Sequence, residues 1–479
     1  MSGELSGDVC YRALKARDGR FDGVWFVGVT STGVYCRPVC RARTPRREHC
    51  EFYGSAAAAE RRGYRPCLRC RPELAPGRAP VDAPTRIAAA VAARIAEGAL
   101  NEGSLDELAT EFALSSRQLR RIVERSLGVT PIALAQTQRL LTAKMMLTDS
   151  ALPLVEVALA SGFASVRRFN ALFRSRYGLA PSALRRQRGR APSDTLHCLL
   201  AYRPPLPFAE LLAYLGARCY RGAELVTADT YVRAIDLDGH RGVIKVRAAS
   251  GSPHLQLLAS AELAPVLPRL VLRVRRLFDL DAEPAPIAAC LAGDPVLAAR
   301  VAASPGRRVP GTLGGFELAL RAVLGQQISV RAATTLAGRL VDALGEPLVG
   351  PARALGLTQA IPSAARVAQA SIDQLAGIGL PRRRAECVHA LAAAVAEGRL
   401  RLRPGDDVDK TVAALQELPG VGPWTASYIA MRALRSPDAF PAGDLGVQRA
   451  LGVRSARAAE ERAEAFRPYR AYAVMHLWS

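Results

Sequence analysis

Residues 418–428 read LPGVGPWTASY, a glycine turn running straight into the pattern of a helix. Gly420 and Gly422 bracket one apolar residue, so the backbone can turn tightly there and present N–H groups to a phosphate oxygen without regard to base sequence. Any helix-to-helix turn can use two glycines, and LAGIG at 375–379 is a second such turn nearby. The decisive addition lies downstream, where Asp444 in FPAGDLGVQR opens another helix. An Asp in that place is an ordinary N-cap, and it is also where a catalytic carboxylate could sit; the local sequence leaves both open.

Working outward, 479 residues exceed one core, so three or four domains are expected. With 49% hydrophobic and 23% charged residues the chain is globular rather than fibrous or disordered. Of the net charge of +22, +14 falls on residues 1–190, where 31 Lys/Arg face 17 Asp/Glu. Such a field suits an extended polyanion, nucleic acid first among them. There is no 18-residue apolar run and no signal-peptide pattern, so a cytoplasmic protein without a membrane partner is expected.

Four of the ten cysteines form a tight set, Cys36-x-x-x-Cys40 and Cys67-x-x-Cys70. Two pairs at this spacing can each hold one side of a tetrahedral zinc, and one Zn²⁺ on four cysteines is the expected cofactor. Cys198, Cys219, Cys290 and Cys387 are scattered and read as buried thiols. A proline-rich stretch, PELAPGRAPVDAP at 72–84, follows as a linker, then helical spacing through Ile87, Val91 and Ile95 and a capping box at Ser104–Glu107.

The next region repeats itself at an offset of 50 residues. LATEFALSSRQLRRIVERSLGVTPIAL from Leu108 lies over ALASGFASVRRFNALFRSRYGLAPSAL from Ala158, with Ser115 on Ser165, Arg117 on Arg167, Gly128 on Gly178 and Pro131 on Pro181. Each copy has a short apolar helix, a turn and an arginine-rich helix, which is the grammar of a helix-turn-helix. Arg117, Arg120 and Arg121 in one copy, and Arg167, Arg168 and Asn170 in the other, are the candidates for the major groove.

These motifs resemble known families. The paired repeat ending GFASVRRFNALFRSRYGLAPSALRR is similar to the DNA-binding region of AraC-type regulators. GVYCRPVCRAR, with FY at 52–53 and GYRPCLRC at 63–70, resembles the zinc domain of the Ada alkylation-damage sensors. That resemblance implies that Cys36 is both a zinc ligand and the acceptor of a methyl group from a DNA methylphosphotriester, with Cys40, Cys67 and Cys70 as fellow ligands. It places Arg37, Arg41, Arg43 and Arg47 where they can steer the DNA backbone toward Cys36. An activator of this kind has promoter DNA and RNA polymerase as partners. The Pro-Cys-His-Arg nucleophile of a second methyltransferase domain is absent from the sequence.

LPGVGPWTASY with Asp444 resembles the helix-hairpin-helix DNA glycosylases, and about 195–479 as a whole is similar to the AlkA type that excises alkylated bases. FELALRAVLGQQISV at 316–330 and YRAYAVMHLW at 469–478 support the match. The resemblance makes Asp444 the catalytic carboxylate, Gly420 and Gly422 the DNA-backbone contacts, and Trp424, Tyr428 and Trp478 the pocket lining, with Tyr214 a further candidate. Relatives that also nick the strand carry a lysine where this chain has Trp424, so a monofunctional glycosylase releasing bases such as 3-methyladenine is implied. A base alkylated on a ring nitrogen is cationic and is drawn to aromatic faces. Two departures stand out: Gln327 occupies the position of an apolar wedge, and the chain stops one residue after Trp478.

The expected architecture is multidomain and mainly α with α+β parts. An α+β zinc domain spans 1–79 and an all-α double helix-turn-helix 80–190, ending in the basic linker RRQRGRAPSD at 185–194. An α+β (TBP-like) AlkA-type N-terminal domain follows at 193–305, with a hairpin around Asp238-Gly239 and a strand at 254–258. An all-α helix-hairpin-helix glycosylase domain occupies 306–479. The residues leave a rival reading open, a DNA-binding regulator whose C-terminal half is a non-catalytic, glycosylase-like module.

Overall fold

Short apolar strands near the N-terminus, alternating strands from residue 195, and 3.6-residue periodicity between and after them give the mixed architecture of the computed structural model. It describes residues 6–76, 86–150, 152–186, 195–348 and 350–479. Residues 77–84 of the proline-rich stretch and 187–194 of the basic linker lie outside the described residues, and with them the expected boundaries at 79/80, 190 and 193. The chain divides into two compact units, one of residues 1–204, 249–272 and 280–283, the other of 205–248, 273–279 and 284–479.

In the first unit, β1 (Phe26–Val29), β2 (Val34–Cys36), β3 (Cys50–Tyr53) and β4 (Arg65–Pro66) form a sheet in the order β3-β1-β2-β4. β1 is antiparallel to both neighbours, whereas β2 and β4 run parallel with Tyr35 beside Pro66. Trp25 is buried edge-on to Phe52 at 5.2 Å, and Tyr35 edge-on to Phe26 at 5.8 Å, so aromatic packing holds both faces of this small sheet.

The 50-residue repeat becomes two superposable helical units. Ser115 and Ser165 each cap a twelve-residue helix, Ser116–Leu127 and Val166–Tyr177, and each accepts from the N–H three residues on. Gly128 and Gly178 end these helices in the left-handed conformation at φ 72° and 71°. Leu119 and Val123, like Phe169 and Phe173, turn inward and are fully buried. The copies are joined by a nineteen-residue helix, Pro131–Asp149, whose last ten residues are all buried, lysine included. The capping box at Ser104 is present, and of the three apolar residues expected to pack, Val91 and Ile95 do while Ile87 remains 40% exposed. Also within this unit, β5 (Thr195–Ala201) pairs antiparallel with a strand at His254–Ser260.

In the second unit, β7 (Thr230–Leu237) pairs antiparallel with β6 (Glu224–Val226) and with β8 (His240–Ala248). Asp238 and Gly239 join β7 to β8 with φ of 52° and 79°, the two positive values that a tight hairpin turn requires. Helices follow from Pro284. Two of them, Val408–Gln416 and Pro423–Arg432, make the hairpin, and Gly420 turns between them at φ 82°. A Cβ there would also sit 3.3 Å from the Cys387 Cβ, so both backbone and space demand glycine. The last helix, Arg470–Leu477, is buried along its whole length. Arg300 and Arg307 donate to the carbonyls of His476 and Met475 at 2.9 and 3.0 Å, which anchors its end from the side. No helix among the described residues is long and apolar enough to cross a membrane.

Candidate active site and zinc centre

The parallel pairing of β2 with β4 brings the two cysteine pairs together. Cys36 ends β2, the Cys67 N–H donates to the Tyr35 carbonyl at 3.0 Å, and Cys40 and Cys70 follow on one turn each. The four sulfurs lie within 4.8 Å of one another, three of the residues buried and Cys70 partly so. This donor set and crowding fit one Zn²⁺, and the chain holds zinc on Cys36, Cys40, Cys67 and Cys70. Among bare thiols, hydrogen bonding to Cys40, Cys67 and Cys70, together with burial, pushes the Cys36 thiol up, while Cys67 is pulled well down by its three neighbours. A central cation removes that competition by deprotonating all four.

The sulfurs are not equivalent. The Arg37 N–H donates to Cys70 Sγ at 3.4 Å, and backbone N–H groups of Ala42 and Cys70 serve Cys40 and Cys67.

Arg37 itself departs from expectation. It is 5% exposed; its Nε donates to Asp22 Oδ1 at 2.8 Å and its Nη1 to the Cys70 carbonyl at 3.2 Å. The side chain is a buried strut of the zinc loop, because the turn after Cys36 points it inward toward Asp22, with which it pairs. Arg41, Arg43 and Arg47 are exposed. So are Arg117, Arg120 and Arg121 on one arginine-rich helix and Arg167 and Arg168 on the other, with Asn170 half-buried.

Sequence reasoning missed a polar seam between zinc loop and repeat. The Tyr35 hydroxyl donates to Glu60 Oε1 at 3.0 Å, Thr137 Oγ1 donates to Glu60 Oε2 at 2.9 Å, and Arg176 donates to the Glu60 carbonyl at 3.0 Å. Burial pushes the Glu60 carboxyl up to about 7, against the opposing pull of the Thr137 and Tyr35 hydrogen bonds. Arg71, in the left-handed region at φ 54°, binds Asp149 through both guanidinium nitrogens at 2.8 Å, and Lys144 pairs with Glu73. Nothing in the sequence hinted at this, since the helix Pro131–Asp149 carries three charged residues in nineteen, fewer than the chain's 23%.

In the second unit Asp444 proves to be N-cap and site carboxylate at once. Its Oδ1 accepts from the Val447 N–H at 2.9 Å and from Trp478 Nε1 at 3.0 Å, and its Oδ2 accepts from Trp424 Nε1 at 2.9 Å. Trp424 and Tyr428, one helical turn apart, stack at 5.4 Å and 10°, and Trp478 tilts against Tyr428 at 6.1 Å. The Tyr214 hydroxyl is 3.4 Å from that of Tyr428. The carboxylate and all four expected aromatics therefore converge. Burial would raise the Tyr428 phenol, but the charges of Arg432 and Arg218 pull it down to about 8.

Gly420 and Gly422 are exposed at the hairpin tip, with N–H groups at the start of Pro423–Arg432. Gln327 is exposed beside them in the left-handed region at φ 56°. Its neighbour Gln326, not singled out from sequence, donates to the Gly420 carbonyl at 2.8 Å and to Thr425 Oγ1 at 3.0 Å, tying this loop to the hairpin. Lys410 is exposed and 3.9 Å from Asp407, the cap of its own helix.

Family models match residues 9–73 (metal binding domain of Ada), 108–187 (helix-turn-helix domain), 197–314 (AlkA N-terminal domain) and 320–466 (HhH-GPD superfamily base excision DNA repair protein). The chain is 38% identical over 98% of its length to the probable bifunctional transcriptional activator/DNA repair enzyme AlkA of Mycobacterium tuberculosis, covering 95% of that protein. It is 32% identical to DNA-3-methyladenine glycosylase 2 of Escherichia coli, over 58% of this chain and 95% of that one. A solved 3-methyladenine DNA-glycosylase from Archaeoglobus fulgidus shares the fold at TM-score 0.50 and 21% identity, over 58% of this chain and 96% of that one. With a zinc domain, a paired helix-turn-helix and a hairpin domain in one order along one chain, the protein belongs to the AlkA family of bifunctional transcriptional activators and DNA repair enzymes.

Proposed function

We propose that the chain couples two activities on alkylated DNA. In the second unit Asp444 serves hydrolysis of the N-glycosidic bond of alkylated bases such as 3-methyladenine. As the C1′–N bond breaks, its electron pair leaves with the base, and water adds to C1′ and gives up a proton. The sugar passes through oxocarbenium character, which a fixed anion stabilises. The observation that carries this reading is the pair of indole N–H groups on the carboxylate, which aim it from the pocket wall. Trp424 stands where a strand-nicking relative has lysine, so the product is an abasic site.

In the first unit Cys36 accepts the methyl group of a DNA methylphosphotriester. The S–CH₃ bond forms as the O–CH₃ bond breaks, and the phosphodiester leaves with the electron pair. Zinc keeps the thiolate available at neutral pH. Methylation removes one negative charge near DNA, so affinity for promoter DNA rises and RNA polymerase can be recruited. The test is incubation with phosphotriester DNA and mass spectrometry of tryptic peptides, alongside release of 3-methyladenine from methylated duplex. One added methyl on the Cys36 peptide and free base are expected; methyl on Cys40, Cys67 or Cys70 alone overturns the acceptor assignment, and absence of released base overturns the glycosylase reading.

A further inference from the structure

Arg203 stands two residues beyond β5 (Thr195–Ala201), in the stretch matched as the AlkA N-terminal domain, yet its side chain reaches into the zinc loop. It is 1% exposed; Nε donates to the Asp22 carbonyl at 3.1 Å, Nη1 donates to the Asp281 carbonyl at 2.7 Å, and Nη2 lies 3.5 Å from Glu283 Oε1. All of these residues fall in the first unit. β5 itself packs against the helix Pro131–Asp149 and the short turn Pro72–Leu74, which begins two residues after Cys70. Burying a guanidinium is costly, and donors spread over carbonyls of separate segments fix a geometry more than they add stability.

Asp22 carries that geometry onward. Its carbonyl is held by Arg203 and its carboxylate by Arg37, whose Nε donates to Oδ1 at 2.8 Å. Its own N–H donates to the Gly19 carbonyl at 3.2 Å. Gly23 beside it, at φ 76°, approaches so closely that a Cβ would lie 1.8 Å from the Pro76 carbonyl oxygen. The loop therefore has no slack at Asp22. Arg37 in turn follows Cys36 directly, donates its N–H to Cys70 Sγ at 3.4 Å, and donates from Nη1 to the Cys70 carbonyl at 3.2 Å. An unbroken run of contacts thus leads from the end of β5 to the zinc ligands. Outer partners of this kind orient metal ligands, and their loss costs about 10–100-fold in metal affinity or activity.

We propose that Arg203 is a positioning residue of the zinc centre. Acting through Asp22 and Arg37, it sets the orientation of Cys36 and Cys70, so the methyl acceptor is completed by the first strand of the domain that follows the paired helix-turn-helix. The inference rests on the reading of Cys36 as methyl acceptor. Arg203 donates throughout and neither gains nor loses a group; it keeps the Cys36 sulfur on the line of attack, where a small misplacement lowers the rate steeply.

The test uses the full zinc-loaded chain, Arg203→Gln, Arg203→Lys, Arg37→Lys and the double variant of Arg203→Gln with Arg37→Lys. Three quantities are read: the rate of methyl transfer to Cys36 from phosphotriester DNA, the half-time of zinc loss to a chelator without DNA, and release of 3-methyladenine. Arg203→Gln should slow methyl transfer and speed zinc loss by about tenfold each, while 3-methyladenine release stays within about twofold. Arg203→Lys keeps a donor for the Asp22 carbonyl and should return both zinc-loop quantities to within about threefold of the unsubstituted chain. In the Arg37→Lys background, where the two-pronged contact to Asp22 is already lost, Arg203→Gln should add less than about twofold. Full additivity in that background, or an equal loss of 3-methyladenine release, would mean that Arg203 only supports the fold; either result overturns the proposal, as do unchanged methyl transfer and zinc loss in Arg203→Gln. An unmethylated Cys36 in the unsubstituted chain overturns the acceptor reading instead, and the zinc-loss measurement, which needs no methyl transfer, still decides whether Arg203 positions the ligands.

Discussion

Substitution of Asp444 by Asn separates the carboxylate's charge from its shape. Three N–H groups converge on it, two on Oδ1 and the Trp424 indole on Oδ2. An amide supplies one acceptor and one donor, so in either orientation at least one N–H faces an NH₂ across about 2.9 Å. Leaving such a donor unmatched costs about 1–3 kcal/mol. The helix cap itself is preserved, since Asn caps as well as Asp. Melting of this unit should therefore fall by a few degrees, at about 2–4 °C per kcal/mol for a unit of this size. Catalysis should fall much further. A unit charge about 4 Å from a developing cation, at an effective dielectric of about 20, stabilises it by about 4 kcal/mol, which corresponds to roughly a thousandfold in rate. The assay is single-turnover release of 3-methyladenine beside a melting curve of the same preparation. In the Asp444→Asn background, Trp424→Phe removes the opposing indole donor and should recover part of the melting loss without recovering activity. Excision by Asp444→Asn within tenfold of the unsubstituted rate would refute the electrostatic role of the carboxylate.

Other predictions concern the first unit. Glu60 has its carboxyl raised from about 4.5 to about 7, so the folded state holds a proton that the unfolded chain releases. Its contribution to stability is fully present below pH 4.5 and is lost as pH rises through 7, about 3 kcal/mol in all; Glu60→Gln should flatten that part of the melting-temperature profile. Arg37→Ala strands the buried Asp22 carboxylate and should cost about 3–5 kcal/mol, read in denaturant titration of zinc-loaded protein, whereas Arg43→Ala should leave stability unchanged. Arg168→Ala should weaken promoter binding without altering the melting curve, lowering the salt slope by about one if the contact is to phosphate. Chelation of zinc should lower the melting temperature of the first unit, since the four thiols lose the cation that holds β2 to β4.

Much of this was legible because each region states its local rule more than once. The repeat at offset 50 fixed both N-cap serines and both C-terminal glycines, since caps are local and copy with the sequence. The four cysteines named their own cluster, and LPGVG with Asp444 named both ends of the active site. The fate of Arg37 was not legible, because nothing local distinguishes an arginine that turns inward to Asp22 from the exposed Arg41 and Arg43 in the same run. Nor could Asp444 be resolved into a plain cap or a carboxylate facing the aromatic cluster, and the structure gives it both the cap bond and two indole donors. Gln326 and Arg432 act through carbonyls and a hydroxyl about a hundred residues away or one turn along a buried helix. Such partners are set by packing, which leaves no mark on spacing.

The polar seam beneath the zinc loop bears on how this chain can be cut and recombined. Glu73 and Lys144 have side chains 2% and 1% exposed and pair with each other, and Glu73 pairs with Arg71 as well. A fragment ending near residue 79 would keep Tyr35 on Glu60 and Arg71 on Glu73 but lose Thr137, Arg176 and Lys144, while the remainder would keep Lys144 without its carboxylate. The family boundary in the sequence is thus not a boundary in energy. A recombination event that swaps the zinc loop or the paired helices alone separates Glu73 from Lys144 and inherits an orphaned charge along with the new domain.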